Sequence, residues 1–97
     1  ASFRRLFSGS PVKRIGRDRF LRNVLIAAGN SGDAALISSC QALLADPNPL
    51  VRGAAVWALS RLMQGEAFAR LSRRHASEPD AAVRAEWQTA LPVFEDA

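Results

Sequence analysis

The residues best suited to chemistry lie near one end of the chain. Up to Asn23 there are seven bases (Arg4, Arg5, Lys13, Arg14, Arg17, Arg19 and Arg22) against one acid, Asp18, a balance of +6. The remainder carries six bases and eight acids, a balance of −2. A basic end on a near-neutral body attracts an anionic partner, and nucleic acid is the first candidate. Helical spacing brings Arg19 near Asn23 and turns Arg22 away from the apolar residues Leu21 and Leu25. Pro11 and Gly16 place Lys13 and Arg14 on an irregular connection, where long cationic side chains adapt to phosphate oxygens. Lys13, Arg14, Arg17, Arg19 and Arg22 are therefore the candidate nucleic-acid-binding residues, with Arg19 set beside Asp18. Such charges suit backbone binding rather than base reading. A merely solvated cationic face is the competing reading.

Elsewhere the chemistry thins out. His75 is the single histidine, in the run Arg73-Arg74-His75, with no second histidine for a metal site and no orienting group beside it for general-base work. Its basic surroundings predict a solvated position. Cys40 is the only cysteine and falls in the apolar run Leu36–Leu44, which predicts a packed, inert thiol and provides neither a disulfide nor a thiolate metal site. Phe7-Ser8-Gly9-Ser10-Pro11 lacks the glycine and lysine spacing of a phosphate loop, and Gly29-Asn30-Ser31-Gly32 follows no strand, as a dinucleotide fingerprint would. Trp87 sits on an apolar stripe and reads as core. Trp57 lies off the main stripe and is the candidate partner-contact surface. No catalytic set and no metal site is expected.

The elements that would position these residues follow from a repeat. Asp46-Pro47-Asn48, Val51-Arg52 and Ala58-Leu59 recur 32 residues later as Glu78-Pro79-Asp80, Val83-Arg84 and Ala90-Leu91. A weaker echo upstream sets Leu21-Arg22 before Ala28 as Val51-Arg52 stands before Ala58. Apolar residues keep helical spacing in every unit: Phe20, Leu21, Val24, Leu25 and Ala28; Leu36, Ile37, Cys40, Leu43 and Leu44; Val51, Ala54, Ala55, Ala58, Leu59 and Leu62; Val83, Trp87, Ala90 and Leu91. Asn48 before Pro49 has the chemistry of a helix start, and Asp33 and Asp80 match it as caps. Gly29-Asn30-Ser31-Gly32 and Gln64-Gly65 read as breaks between helices. Strand signals are nearly absent, with no Tyr in the chain.

A 32-residue unit of two helices belongs to the helix-pair solenoids, and the pattern D-P-N-x-x-V-R-x-x-A-x-x-A-L resembles a HEAT-type repeat. The expected fold is all-α, an α-α superhelix of HEAT-like helical hairpins with about five or six helices. Residues 1–15 form a basic, partly helical connecting segment, and residues 16–97 form the repeat domain. Acids and arginines at repeat-equivalent positions (Asp46, Glu78, Arg52, Arg84) suit a ladder between stacked units. Ninety-seven residues, 48% apolar and 23% charged with a mean hydropathy of −0.02, make one folded domain with no room for a second core. No apolar run reaches the ~20 residues that span a bilayer. The start, Ala1-Ser2-Phe3-Arg4-Arg5, has neither an initiator Met nor the apolar core of a secretory signal, and suggests a piece of a longer, cytoplasmic protein.

The tract GSPVKRIGRDRFLRNVLIAAGNSGD, followed by LLADPNPLVRGAAVWALSRL, resembles the C-terminal region of bacterial epoxyqueuosine reductases. The likeness runs from about Phe3 to Leu62, with a repeat-type continuation to Leu91. It implies a parent enzyme that reduces epoxyqueuosine to queuosine at the wobble position of certain transfer RNAs, using cobalamin and two four-iron four-sulfur clusters. It also implies that the cluster cysteines, cobalamin domain and catalytic acid lie upstream, so that this stretch alone would be inert. The implied partners are transfer RNA and the upstream iron–sulfur domain of the same chain, with no membrane.

Overall fold

A capping amide and a proline start the central helix. The Asn48 side-chain oxygen accepts the Leu50 N–H at 2.7 Å, and Pro49 occupies the first turn, where no N–H is needed. The computed structural model describes the backbone of residues 11–90 and the side chains of residues 16–90. Among the described residues there are five α-helices and no strand: α1 (Pro11–Ser31), α2 (Ile37–Ala42, flanked by 3-10 turns Ala34–Leu36 and Leu43–Ala45), α3 (Pro49–Leu62), α4 (Gly65–Arg74) and α5 (Ala81–Ala90). Asp33 caps the turn before α2 by accepting the Ala35 N–H at 2.9 Å, and Asp80 caps α5 by accepting from Ala82 and Val83 at 2.9 and 3.1 Å.

The helices stack as predicted for paired repeats. α1 packs on α3 and α3 on α5, while α2 and α4 make smaller contacts with α3. Arg17 meets Asp46 near one end of the α1–α3 pair and Gly29 meets Trp57 and Ala58 near the other, so the two helices run parallel. The core is built from Leu25, Ala28, Cys40, Leu44, Val51, Ala55, Val56, Ala58, Leu59, Phe68, Val83 and Trp87. Each fully buried large apolar side chain among them stabilises the fold by about 1.5–3 kcal/mol before chain entropy is counted. α3 supplies the five most deeply buried members and is the axis of the stack.

Three local expectations are corrected. The basic stretch around Lys13 and Arg14 is not an irregular connection, because α1 begins at Pro11 and runs unbroken through Gly16. A proline in the first turn starts a helix rather than interrupting one. Gly29 and Asn30 do not break that helix either; it continues to Ser31, and only Gly32, at φ 70°, closes it. On the α1 stripe, Leu25 and Ala28 are buried and Leu21 is partly so, but Phe20 and Val24 are exposed at 51% and 44%. α1 meets α3 along one narrow face, which the wider predicted stripe overruns.

Gly29 has a steric reason to lack a side chain. A Cβ there would lie 2.6 Å from Trp57 Cζ3 and 3.1 Å from Ala58 Cα. Gly29→Ala should therefore lower stability by about 1–2 kcal/mol, the overpacking cost exceeding the intrinsic helix gain of alanine. In a Trp57→Ala background the same substitution should cost less, since only the Ala58 contact remains. Urea midpoints of the four proteins check this, and equal costs in both backgrounds would refute it.

Candidate nucleic-acid interface

The basic residues of α1 divide sharply by what surrounds them. Arg17 is turned inward: Nη2 donates to Asp46 Oδ1 at 2.5 Å and Nη1 to Asp18 Oδ1 at 2.7 Å. Asn48 Nδ2 in turn donates to Asp18 Oδ2, and Asp46 Oδ2 accepts the Asn48 N–H at 3.0 Å. Both acids are buried, Asp18 at 8% and Asp46 at 6% exposure. The helix start of α3 is thus clamped to α1 by one guanidinium, two carboxylates and one amide. Of the predicted RNA-binding cations whose side chains are described, Arg17 is the one consumed by the fold.

Arg52 repeats the arrangement one unit later. Its Nε and Nη2 donate to Glu78 Oε1 and Oε2 at 3.0 and 2.9 Å, a bidentate pair, and its Nη1 donates to the carbonyls of Asp46 and Pro47 at 2.9 and 3.1 Å. Glu78 also accepts the Asp80 N–H at 2.8 Å, as Asp46 accepts that of Asn48. Arg84 makes the same two carbonyl contacts, to Glu78 at 2.8 Å and Pro79 at 2.9 Å, but pairs with no carboxylate among the described residues. The predicted ladder is present, with Arg17 rather than the echo position Arg22 forming its first rung.

Electrostatics follow the geometry. Burial raises the Asp46 carboxyl, but the Arg17 hydrogen bond, the Asn48 N–H and the nearby charges of Arg17 and Arg52 outweigh it and hold the group below its ordinary value. The Arg52 hydrogen bond holds Glu78 low, against a smaller desolvation effect. Burial pushes the Cys40 thiol up, in keeping with the packed, inert position expected of it.

Arg19 and Arg22 are exposed and make no ion pair among the described residues. They lie three residues apart, on adjacent turns of α1. Lys13 and Arg14 fall on the same helix, with side chains outside the described set. Arg22 also borders a groove between α1, α3 and α5 whose first cavity is about 410 Å³, with Trp57, Leu50, Gly53 and Glu86 among its lining. A second cavity of about 480 Å³ adjoins it, sharing Trp57 and Glu86 and adding Arg61 and Thr89. Trp57 is half-buried, its benzo edge against Gly29, with the Arg61 guanidinium carbon 5.3 Å from its ring centroid. Sequence reasoning missed Arg61 and Glu86, which reach this groove from two different units.

His75 is not the solvated residue that its neighbours predicted. It ends α4 and stacks on Trp87 at 5.3 Å and 17°, while Phe68 meets the same indole at 5.3 Å and 34°. The side chain is half-buried, one face of its ring covering Trp87. Among the described residues no group of His, Cys, Asp and Glu could hold a metal ion. The single cysteine of the chain cannot supply the thiolates of an iron–sulfur cluster. No helix among the described residues is long and apolar enough to cross a membrane.

Comparison with known proteins matches the HEAT-repeat family over residues 17–92. An epoxyqueuosine reductase of Alicycliphilus denitrificans is 38% identical over 69 residues, covering 63% of this chain and 19% of that protein. One from Xanthomonas campestris pv. campestris is 36% identical over 62 residues, covering 63% and 18%. The chain thus spans about a fifth of the length of the curated relatives it matches. No solved structure matches.

Because Asp46 and Glu78 titrate below their unfolded values, their contribution is full above the ordinary carboxylate range near pH 4 and is lost as pH falls through the folded values. Stability should decline below about pH 4–5, and Asp46→Asn should flatten that decline. At pH 7 this variant should cost about 2–3 kcal/mol, less than breaking a fully buried pair because Arg17 keeps 28% side-chain exposure. Urea unfolding from pH 3 to 7 measures both; an unchanged acid limb in Asp46→Asn would count against the assignment.

Proposed function

The chain belongs to the HEAT-repeat family, and from that premise we propose that it is the helical-repeat module of an epoxyqueuosine reductase, helping to position transfer RNA through the exposed cations of α1. The observation that carries the RNA part is the split among those cations. Arg17 is neutralised by Asp18 and Asp46, whereas Arg19 and Arg22 stay exposed and unpaired among the described residues. Exposed cations without carboxylate partners suit a phosphate ligand. With Lys13 and Arg14 earlier on α1, they would hold the backbone of the anticodon stem-loop while a separate active site acts on the base.

The chemistry in this reading belongs to the parent enzyme, in its cytoplasmic setting. Cobalamin and two four-iron four-sulfur clusters would be held upstream, since the residues here do not fit a cluster. This module by itself would carry no catalysis. It contributes a rigid surface with cations at defined spacing.

A second reading has an observation of its own. Arg17 shows that an arginine of α1 can serve carboxylates, and the remaining cations would then pair with acids of the upstream iron–sulfur domain. Phosphate binding weakens steeply with salt, whereas a well-packed domain interface does so far less.

Binding of the chain to an anticodon stem-loop across a salt series separates the two. The expected result is micromolar affinity, with a slope of log affinity against log salt that falls by about 0.7 for each phosphate contact removed in single-stranded regions. A variant with Lys13, Arg14, Arg19 and Arg22 changed to alanine should lose binding while keeping the wild-type melting temperature. Retained affinity in that variant, or salt-insensitive association with the separately produced iron–sulfur domain in place of RNA binding, would shift the assignment to the second reading.

A further inference from the structure

The groove between α1, α3 and α5 contains a glycine that the fold does not require. Gly53 lies in the middle of α3, where glycine weakens a helix relative to alanine. Unlike Gly29, it has nothing within 4 Å of the position a Cβ would take, so no packing contact forbids a side chain. Gly53 lines the first cavity of the groove, and a methyl group there would project into open space. A backbone kept bare at the wall of a cavity fits the close approach of a ligand.

The other groups in the groove state what kind of ligand that is. Trp57 offers a planar surface, its benzo edge against Gly29 and the Arg61 guanidinium near its ring. Glu86 is half-buried, lines both cavities and makes no hydrogen bond or ion pair among the described residues. Arg22 lines the first cavity and Arg61 the second, neither paired with an acid among the described residues. A carboxylate and an arginine border one groove without neutralising each other, and each is available to a separate part of one ligand. A flat aromatic, an unpaired carboxylate and flanking guanidinium groups together match a nucleotide in single-stranded RNA: base on indole, base N–H groups on carboxylate, phosphates on arginines.

We propose that this groove binds one unstacked base of single-stranded RNA, with Trp57 as the stacking surface, Glu86 as the reader of the base edge, and Arg22 and Arg61 on the neighbouring phosphates. The carboxylate sets the preference. Guanine presents two adjacent donors, N1–H and the N2 amino group, that a carboxylate accepts side by side, whereas adenine, cytosine and uracil cannot offer that pair in their ordinary forms. The site is therefore guanine-selective, which the cations of α1 cannot be. The inference rests on the RNA-binding reading above and adds to it a base-specific contact from α3 and α5.

The test uses the full chain and four RNA pentamers, UUGUU, UUAUU, UUCUU and UUUUU, followed by quenching of tryptophan fluorescence; Trp87 is buried and serves as the internal reference. UUGUU should bind at least fivefold more tightly than the others. Glu86→Gln should bring that ratio close to one, and Trp57→Leu should abolish the quenching. Gly53→Ala should raise the melting temperature, as expected of alanine in a helix, while weakening UUGUU binding at least tenfold, a combination that a purely structural glycine would not give. Equal binding of all four pentamers, unaffected by Glu86→Gln, would overturn the proposal. If that result came with salt-dependent stem-loop binding that a Lys13, Arg14 and Arg19 triple alanine variant loses, the RNA reading would stand and only the groove assignment would fall. No RNA binding of any kind would remove both. Tight binding of a leucine- and glutamate-rich amphipathic helical peptide, with no response to the pentamers, would assign the groove to a protein partner and also overturn it.

Discussion

Arg17 and Arg52 each leave their own helix to grip the acid at the turn before the next one, and the rest of the stack is arranged around those two grips. The acid is doubly committed in each case. Asp46 accepts from Arg17 and from the N–H of Asn48, and Glu78 accepts from Arg52 and from the N–H of Asp80. The same side chain therefore shapes the turn that begins a helix and fixes where that helix sits against its neighbour. A buried ion pair of this kind adds modest net stability, because desolvation offsets much of its attraction. Its larger effect is on register: only one placement of α1 on α3 satisfies Arg17, Asp18, Asp46 and Asn48 together.

This constraint sorts the positive charge of the chain. An arginine drawn into a rung has its donors occupied by carboxylates or carbonyls, as Arg17 and Arg52 do. Arg22 occupies the position in α1 that echoes Arg52, yet it borders the groove and is free of the ladder. The rung is made from Arg17 instead, more than one turn earlier. The substitution of one arginine for the other turns a residue that elsewhere stabilises the stack into part of a surface. The two helix-interior glycines of the groove region divide in the same way, Gly29 being demanded by Trp57 and Gly53 by nothing within the fold.

The legibility of these features in the sequence depended on how far apart the interacting residues are. Caps span two or three residues, so Asn48, Asp33 and Asp80 could be recognised from neighbours alone, and the 32-residue period exposed the helix pairs and the matching Asp46, Glu78, Arg52 and Arg84. The repeat could not say which arginine meets Asp46, because Arg17 is 29 residues away and out of phase with it. Gly29 looked like a helix break because glycine usually is one near a polar run, whereas its role is set by an indole on another helix. His75 looked solvated beside two arginines, yet it covers a tryptophan 12 residues later. Trp57 could be singled out by its place off the apolar stripe, while Arg61 and Glu86 carried no local sign that they share its groove.

The polar bonds between units all lie, among the described residues, at the N-terminal edge of the parallel helices, where Arg17 meets Asp46 and Arg52 meets Glu78. Toward the C-terminal ends the units touch through apolar contacts such as those of Gly29 with Trp57 and Ala58. In mechanical terms the stack resembles a bound book. Its spine resists extension because separating two units there breaks charged hydrogen bonds of fixed length, whereas the opposite edge rests on non-directional contacts that tolerate sliding. Bending is thus confined to one sense, a fan-like opening about the ladder, and the far end of the groove beside Arg61 and Thr89 can widen more readily than the end nearest Arg22.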